Sequence, residues 1–282
     1  MPKPRTLLLL GHTGKMGRAV AEAFSEGYRI VGRNSRDFDA ADLGRLPGLV
    51  GRVRPDIVVN AAAFMGLEDC ERRLQRALAV NTLFPKVLAE LSREQGFLLV
   101  HLSTDAVFSG RSRPYDEDDA PLPLNMYGLT KLGAECFIQA VARRYYIVRM
   151  PLLFGESPKA SQLLEKMLRR ARQGGRTLEA AGDVVTCPTY SRDAARALRR
   201  IIERRLPSGV YHIANAGKAS LYDLTREAVR DLGLDVRVRR VPSSRFPGTA
   251  RRSACTLLRS RKLAPLRGWK QALRDYCGRM GS

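Results

Sequence analysis

Short apolar runs alternate with amphipathic segments along the first half of the chain. Five runs have the length of a strand and are almost continuously apolar, at residues 6–11, 28–32, 56–62, 97–103 and 145–150. Continuous apolar character, rather than strict alternation, is typical of strands that are covered on both faces. The runs therefore predict a parallel sheet with helices on either side.

The segments between these runs carry the period of amphipathic helices. They cover residues 14–27, 70–81, 85–96 and 127–144, and they tend to stop at Gly or Asn. After about Pro151 the pattern loosens into mixed helix and strand. We predict an α/β fold in which residues 1–150 form a doubly wound parallel sheet. Residues 151–282 then form mainly a smaller C-terminal α/β substrate lobe, with some segments returning to the first domain.

The composition is that of a folded chain with a substantial core and a strongly basic surface. The 282 residues are 44% hydrophobic and carry a formal net charge of +21. Basic residues are spread over predicted helices, as in RRLQR (72–76) and ALRRIIERR (197–205), where they fit solvent-facing helix surfaces. This spread argues against nucleic acid as the principal partner. The apolar runs are too short for a signal-peptide core or a membrane span, which favours a soluble, cytoplasmic protein.

The sequence predicts no metal site and no disulfide framework. The five cysteines form no close pair and no zinc-like spacing, and their odd number fits reduced thiols. The acidic run YDEDDA (115–120) fits a solvated loop better than a calcium site.

Glycine recurs at Gly11, Gly14 and Gly17, where the first apolar run gives way to a helical segment. Glycines at a first βα turn keep the turn tight and let the backbone approach a pyrophosphate, which the helix N-terminus then binds. The spacing G-x-x-G-x-x-G differs from the more familiar G-x-G-x-x-G. Its place between a strand and a helix nevertheless predicts a dinucleotide site, with an ordinary glycine turn as the alternative. Residues 1–150 are therefore predicted to form a Rossmann-type domain that binds NAD(P).

The end of the second predicted strand bears on the choice of cofactor. An acidic residue there commonly binds the ribose 2′-hydroxyl of NAD, whereas an arginine accommodates the 2′-phosphate of NADP. Arg33 and Arg36 stand at this point, which favours NADPH over NADH. Two alternatives stay open: Arg33 also fits a solvated loop, and Asp37 or Asp39 could still reach the adenosine.

A threonine, a tyrosine and a lysine follow the fourth predicted strand. Thr104 ends that strand, and Tyr127 and Lys131 are four residues apart, so they share one face of the next helix. An ammonium close to a phenol stabilises the phenolate, so we expect a lowered pKa for Tyr127. The three groups together suit acid–base reduction of a ketone. The competing interpretation is an exposed helical pair that contributes only about 0.3 kcal/mol.

The chain resembles the extended short-chain dehydrogenase/reductase superfamily in several stretches that keep their order and spacing. They include GHTGKMG (11–17), PDIVVNAAA (55–63), LSTDAVFSG (102–110) and NMYGLTKLGAE (125–135). Within that superfamily the chain is similar to the dTDP-4-dehydrorhamnose reductase family, also called RmlD-like sugar-nucleotide reductases. The resemblance covers most of the chain. It implies hydride transfer from NADPH or NADH to the 4-keto group of a nucleotide-linked 6-deoxysugar.

The resemblance also implies roles for individual residues. Tyr127 protonates the nascent alkoxide, Lys131 holds the nicotinamide ribose and tunes Tyr127, and Thr104 orients the carbonyl. The other implied cofactor contacts are Gly11, His12, Gly14, Lys15, Met16, Gly17, Ala61, Ala62, Ala63 and Asn81. The implied partner is a nucleotide-sugar substrate, and the oligomeric state stays open, with a homodimer as the candidate assembly.

The chain departs from the family pattern where the substrate is expected to lie. Ala106 stands in place of a tyrosine, Met65 in place of a hydroxyl-bearing residue and Leu152 in place of a tryptophan, whereas Asp105 is kept. Each replacement removes a polar or aromatic contact. We therefore expect a smaller or more apolar sugar pocket.

Two further interpretations stay open. The stretch RMPLLFGE (149–156) is also similar to the regulatory β subunit of methionine adenosyltransferase, which implies a non-catalytic nucleotide-binding protein. The same scaffold also serves nucleotide-sugar epimerases and dehydratases. A 4,6-dehydratase would carry an acid pair after the threonine, whereas Asp105 is followed here by Ala106.

Overall fold

Strands and helices alternate through the first half of the chain and mix with short strands in the second. The computed structural model describes residues 4–111, 113–156 and 163–281. The strands are β1 (Arg5–Leu10), β2 (Tyr28–Arg33), β3 (Ile57–Asn60), β4 (Leu98–Thr104), β5 (Tyr145–Met150), β6 (Leu153–Phe154), β7 (Thr177–Ala181), β8 (Val185–Thr186), β9 (Thr189–Tyr190), β10 (Gly209–His212), β11 (Asn215–Ala216), β12 (Ala219–Ser220), β13 (Arg237–Val241), β14 (Cys255–Thr256) and β15 (Leu266–Gly268). The helices are α1 (Lys15–Ala23), α2 (Leu46–Val53), α3 (Leu67–Arg72), α4 (Leu74–Leu78), α5 (Phe84–Gln95), α6 (Met126–Val141), α7 (Leu163–Arg172), α8 (Ser191–Glu203), α9 (Leu221–Asp231) and α10 (Trp269–Gly281).

The central sheet has six parallel strands in the order β10-β5-β4-β3-β1-β2. Its strand order reverses between β1 and β3, and ligands of open α/β sheets bind in the crevice at such a reversal. The mixed α/β fold with a central parallel sheet confirms the predicted fold class. One segment beyond Pro151 returns to this sheet, because β10 pairs with β5 at its far edge.

Both faces of the sheet are buried. One face packs against α1 and α8 through residues such as Leu7, Val20 and Leu198, and the other packs against α2, α5 and α6 through residues such as Leu8, Leu88 and Ile138. Successive leucines of β1 therefore point to opposite cores, which explains the continuous apolar runs in the sequence. A third core links the short strands of the second half, where Phe154 stacks on Tyr190 at 5.5 Å between ring centroids.

The predicted helices 70–81 and 85–96 form one nearly continuous helical stretch. Helices α3, α4 and α5 follow each other closely, and a π-helical turn at Ala79–Leu83 joins α4 to α5. A π-helical turn contains one residue more than an α-helical turn, so the spacing of apolar residues shifts there. The sequence pattern therefore predicts two separate helices where the structure has one nearly continuous stretch. The π turn points Asn81 into the protein, where it is buried.

The glycine turn between β1 and α1 brings backbone against backbone. Gly11 has a φ of +82°, and a Cβ there would lie 2.8 Å from the carbonyl carbon of Ala61. A Cβ on Gly17 would lie 2.6 Å from the Cα of His12 and would also meet the carbonyl oxygen of Gly11. No side chain fits at either position without moving the main chain. The turn therefore needs glycine for its own packing, before any ligand is considered.

We expect Gly17→Ala to lower the free energy of unfolding by about 1–3 kcal/mol, because the added methyl group meets backbone atoms that cannot move aside. Gly51→Ala is the matched control. Gly51 lies in α2 with no atom within 4 Å of its Cβ position, so alanine there should stabilise the protein by up to about 1 kcal/mol. Urea denaturation of both variants measures the difference. Equal effects at the two glycines would contradict the packing argument.

Candidate active site

A cavity of about 450 Å³ opens at the carboxyl ends of the central strands. It collects most of the residues that the sequence singles out, and those that line it are Gly11, Gly14, Lys15, Met16, Gly17, Arg33, Asp39, Ala61, Ala62, Ala63, Met65, Tyr127 and Lys131. A volume of this size is within the range of ligand pockets. The glycine turn and the tyrosine–lysine pair, which are more than 100 residues apart in the sequence, therefore share one cavity.

Lys15 closes the cavity from the side of the C-terminal half. Its side chain is almost fully buried, and its Nζ lies 2.8 Å from a carboxylate oxygen of Glu165 on α7 and donates to the carbonyl oxygen of Leu153 at 2.8 Å. Burial lowers the pKa of Lys15, and the charge of Glu165 opposes that shift. The first residue of α1 is thus tied to the second half of the chain.

Two predicted cofactor contacts lie elsewhere. The His12 ring packs against Gly32 of β2, where a Cβ would be 2.7 Å from its Cγ, and His12 is not part of the cavity lining. Asn81 accepts a hydrogen bond from the Phe64 amide at 2.8 Å and donates to the Phe64 carbonyl at 3.0 Å. Its amide also donates to Thr130 at 3.2 Å. Asn81 is therefore a buried support for the loop after β3, since its polar atoms are already used.

Tyr127, Thr104 and Asp105 form a hydrogen-bonded group beside the cavity. Thr104 donates to Asp105 Oδ1 at 3.2 Å, and the hydroxyl of Thr256 on β14 donates to Asp105 Oδ2 at 2.5 Å. Burial raises the pKa of Asp105 to about 6, although these hydroxyl groups oppose the shift. Burial also raises the pKa of Tyr127 to about 12, and a hydrogen bond with Thr104 only partly offsets it.

The predicted lowering of the Tyr127 pKa by Lys131 is therefore wrong for the free protein. The Nζ of Lys131 donates to the Leu102 carbonyl at 2.6 Å and meets His101 Nε2 at 2.9 Å. Burial lowers the pKa of Lys131 to about 8, and Glu135 opposes that shift. The i,i+4 spacing gives the shared helix face correctly, but it does not specify the direction of the ammonium group.

A buried ion pair holds α6 against the sheet. Glu135 is fully buried and accepts two hydrogen bonds on Oε2 from Arg149 of β5, at 2.6 and 3.1 Å. Ser103 of β4 also donates to Glu135. Because Tyr127, Lys131 and Glu135 are spaced by four residues, fixing Glu135 fixes the helix face that carries the other two.

The adenosine end of the expected dinucleotide site holds a residue that the sequence analysis missed. Arg76 of α4 binds both carboxylate oxygens of Asp39, at 2.6 and 2.9 Å, and both residues line the cavity. Arg76 lowers the pKa of Asp39. Arg33 lies next to the pair and donates to the Gly32 carbonyl at 2.8 Å. In the sequence, Arg76 is one of several arginines in RRLQR (72–76), a pattern that predicts a solvent-facing helix surface.

Of the predicted substrate residues Met65, Asp105, Ala106 and Leu152, the cavity lining includes Met65 alone. Met65 lines the cavity and is 53% exposed. The Ala106 amide donates to Thr104 Oγ1 at 3.1 Å. Leu152 packs against the third core and accepts a hydrogen bond from the Thr189 amide through its carbonyl, so Leu153 rather than Leu152 lines the cavity.

A larger cavity of about 680 Å³ lies between α8 and residues 257–266, and none of the predicted site residues line it. Size alone therefore does not locate the chemistry here. Within the described residues, no group of three or more His, Cys, Asp or Glu side chains could hold a metal ion. The described helices also include none that is long and apolar enough to cross a membrane.

We expect wild-type stability to fall relative to Asp105→Asn as the pH rises from about 4 to about 6. The carboxyl of Asp105 has a higher pKa in the folded protein than in the unfolded chain, so the folded state binds its proton more tightly. That advantage is present at low pH and is lost as the pH rises through the folded-state pKa. Unfolding free energies of both proteins across this pH range test it. A difference that stays constant with pH would contradict it.

Comparisons with known proteins identify relatives of the chain. Residues 5–281 match the family model described as the RmlD substrate binding domain. The dTDP-4-dehydrorhamnose reductase of Mycolicibacterium smegmatis is 34% identical over 278 residues, which cover 95% of this chain and 84% of that protein. The crystal structure of a dTDP-4-dehydrorhamnose reductase from Clostridium acetobutylicum has a TM-score of 0.93 at 28% identity and covers 98% of this chain and 100% of its own.

A third relative is the methionine adenosyltransferase 2 subunit beta of Danio rerio. It is 31% identical over 235 residues, which cover 78% of this chain and 72% of that protein. The matched model spans nearly the whole described chain and includes both the glycine turn and the tyrosine–lysine pair. The chain belongs to the family of the RmlD substrate binding domain.

Proposed function

We propose that this protein reduces the 4-keto group of a nucleotide-linked deoxysugar with NADPH or NADH as the hydride donor. The observation that carries the proposal is the shared cavity, which Tyr127 and Lys131 line together with the glycine turn, while Thr104 lies beside Tyr127. The names of the reductase relatives support the same reaction class. A bound dihydronicotinamide supplies the hydride.

Tyr127 is the proton donor in this proposal. With its pKa raised to about 12 by burial, the phenol keeps its proton at neutral pH and can give it to a more basic alkoxide. Thr104 lies within hydrogen-bonding reach of the Tyr127 hydroxyl and is suited to orient the substrate carbonyl. Lys131, one helical turn further, is suited to hold ribose hydroxyls and to balance the charge on Tyr127 after it has donated its proton.

The residues around the glycine turn fit a dinucleotide. The first turn of α1 lines the cavity and holds no acidic residue, so this helix N-terminus has no carboxylate of its own that would repel a pyrophosphate. At the adenosine end, Arg76 neutralises Asp39, and no carboxylate among the described residues forms an ion pair with Arg33. The net positive charge left there favours a 2′-phosphate, so we propose NADPH as the preferred cofactor.

The sugar is expected to lie against residues at and beside the open side of the cavity. We propose that Met65 and Ala106 border the sugar and that Asp105 orients it through the hydroxyls of Thr104 and Thr256. The partner is then a nucleotide sugar, and we propose that the protein acts in the cytoplasm. The candidate assembly is a homodimer. Each of the proposed roles is filled by a residue of one chain, so each subunit of such a dimer would carry its own site.

A non-catalytic nucleotide-binding subunit is the second candidate, and the names of the reductase relatives do not favour it. Such a protein binds a dinucleotide and leaves keto-sugars unchanged. The two candidates differ in turnover rather than in binding, so one set of measurements separates them.

We expect the wild-type protein to oxidise NADPH when it is given nucleotide 4-keto-6-deoxysugars, and we expect Tyr127→Phe to lower kcat by at least about 100-fold. The phenylalanine keeps the ring but removes the proton, so NADPH affinity should change little. Tyr222→Phe is the matched control, because the described interactions of Tyr222 involve only its ring. Equal turnover of Tyr127→Phe and wild type would reject the proton donor. Tight NADPH binding without turnover of any keto-sugar would favour the regulatory candidate.

We expect Arg76→Leu to shift cofactor preference from NADPH towards NADH by about tenfold. The variant frees the Asp39 carboxylate, which repels a 2′-phosphate and accepts a bond from a 2′-hydroxyl. Dissociation constants for both cofactors measure the shift. Arg72→Leu, which loses only an exposed ion pair with Asp69, is the control. Adding Asp39→Asn to Arg76→Leu should restore most of the preference, and an unchanged preference in Arg76→Leu would contradict the argument.

A further inference from the structure

Three buried polar side chains form a line behind the site. Asn60 ends β3, His101 lies beside it in register on β4, and Lys131 projects from α6. Asn60 Nδ2 lies 3.2 Å from His101 Nδ1, and His101 Nε2 lies 2.9 Å from Lys131 Nζ. All three are at most 2% exposed. Because these contacts are buried, the donors and acceptors of the three groups must match one another.

The orientation of the Asn60 amide fixes the position of the hydrogen on His101. The Ala62 amide donates to Asn60 Oδ1 at 3.1 Å, so the oxygen faces the backbone and the nitrogen faces His101. An amide nitrogen only donates, so His101 Nδ1 must accept. A neutral imidazole that accepts at one nitrogen carries its hydrogen on the other. His101 therefore carries its hydrogen on Nε2.

The Nε2 hydrogen of His101 points at Lys131. An ammonium group has three donors and no lone pair, so it cannot accept this hydrogen bond. An uncharged amine can, and it still has hydrogens for the Leu102 carbonyl at 2.6 Å. The buried line of contacts is satisfied throughout only when Lys131 is uncharged.

Charged groups around Lys131 do not overturn this reasoning. Glu135 on the same helix favours the ammonium form, but its carboxylate is already bound by Arg149 and Ser103. Tyr127, one turn earlier on the same helix, is a neutral phenol near pH 7. Burial lowers the pKa of His101, and it lowers the pKa of Lys131 to about 8, which by itself leaves most of the ammonium form at pH 7. The Nε2 hydrogen of His101, which faces Lys131 Nζ at 2.9 Å, opposes the ammonium form and lowers this pKa further.

We propose that His101 and Asn60 are positioning residues that hold Lys131 as an uncharged amine in the free protein, and that Lys131 takes up one proton from solvent when NADPH binds. The second part rests on the NADPH binding of the proposed function, in which Lys131 leaves His101 to hold ribose hydroxyls, and not on reduction of a keto-sugar. Once it has left, the Nε2 hydrogen no longer opposes an ammonium group. The charge that Tyr127 needs after proton donation is then in place before the reaction.

The tautomer of His101 can be observed directly, without any turnover. The chain has only three histidines, and nitrogen-15 NMR distinguishes a hydrogen on Nδ1 from one on Nε2. His212 is an internal reference for the opposite tautomer. Its Nδ1 faces the carbonyl oxygens of Arg259 at 3.0 Å and Tyr115 at 3.3 Å, which only accept hydrogen bonds. We expect the hydrogen on Nε2 of His101 and on Nδ1 of His212. His101→Gln assigns the signal.

Asn60→Asp reverses the arrangement. A carboxylate in place of the amide only accepts, so His101 must move its hydrogen to Nδ1 and accept from a charged Lys131 through Nε2. We expect calorimetry in buffers of different ionisation enthalpy to show uptake of about one proton per NADPH for wild type and about none for Asn60→Asp. Thermal unfolding followed by circular dichroism checks that the variant is folded.

A hydrogen on Nδ1 of His101 in the wild type would overturn the proposal, and so would NADPH binding without proton uptake. Failure of the proposed function looks different. In that case keto-sugars are not reduced, while the tautomer of His101 and the proton uptake on NADPH binding stay as expected.

Discussion

The buried ion pair between Glu135 and Arg149 is the interaction on which the site depends. It joins α6 to β5 where neither charge reaches water, and removing one partner of such a pair typically costs about 3–5 kcal/mol. The position of this ion pair also fixes the rotation of α6 about its axis. A helix whose third turn is fixed in this way has little freedom to rotate, so Lys131 and Tyr127, at steps of four residues, must face the carboxyl ends of β3 and β4.

The glycine turn imposes the complementary constraint from the other side of the cavity. Gly11 and Gly17 bring the start of α1 so close to the loop after β3 that a methyl group would meet backbone atoms. Lys15, the first residue of α1, then reaches Glu165 and Leu153 in the second half of the chain. The cavity is thus bounded by one rigid backbone contact and one rigid helix face, and neither relies on an exposed loop.

The sequence predicts this framework well because the framework follows from local pattern. Each of the five predicted strands matches an observed strand to within about two residues, since a strand buried on both faces must be apolar throughout. The glycine turn and the shared face of Tyr127 and Lys131 follow from spacing alone. Pairings between distant residues do not. Nothing in the local sequence tells Arg76 apart from its neighbouring arginines, because its partner Asp39 is 37 residues away.

The same limit explains the error in the Tyr127 pKa. Spacing places an ammonium one turn from a phenol, but the direction of that ammonium depends on what else the side chain can bind. Here the alternatives are a carbonyl of β4 and a histidine whose own state depends on Asn60. Asn81 shows the same effect, since its amide is used by the Phe64 backbone and Thr130.

Burial changes the acid–base properties of the site in one consistent direction. It raises the pKa of Tyr127 to about 12 and lowers that of Lys131 to about 8, so both shifts favour the uncharged forms. A site prepared for proton donation benefits from this arrangement, because the phenol keeps its proton until a stronger base is present. The same arrangement leaves no ammonium beside Tyr127 in the free protein to stabilise the phenolate that forms after proton donation. The polar line from Asn60 to Lys131 matters for this reason, since the state of Lys131 decides when that charge becomes available.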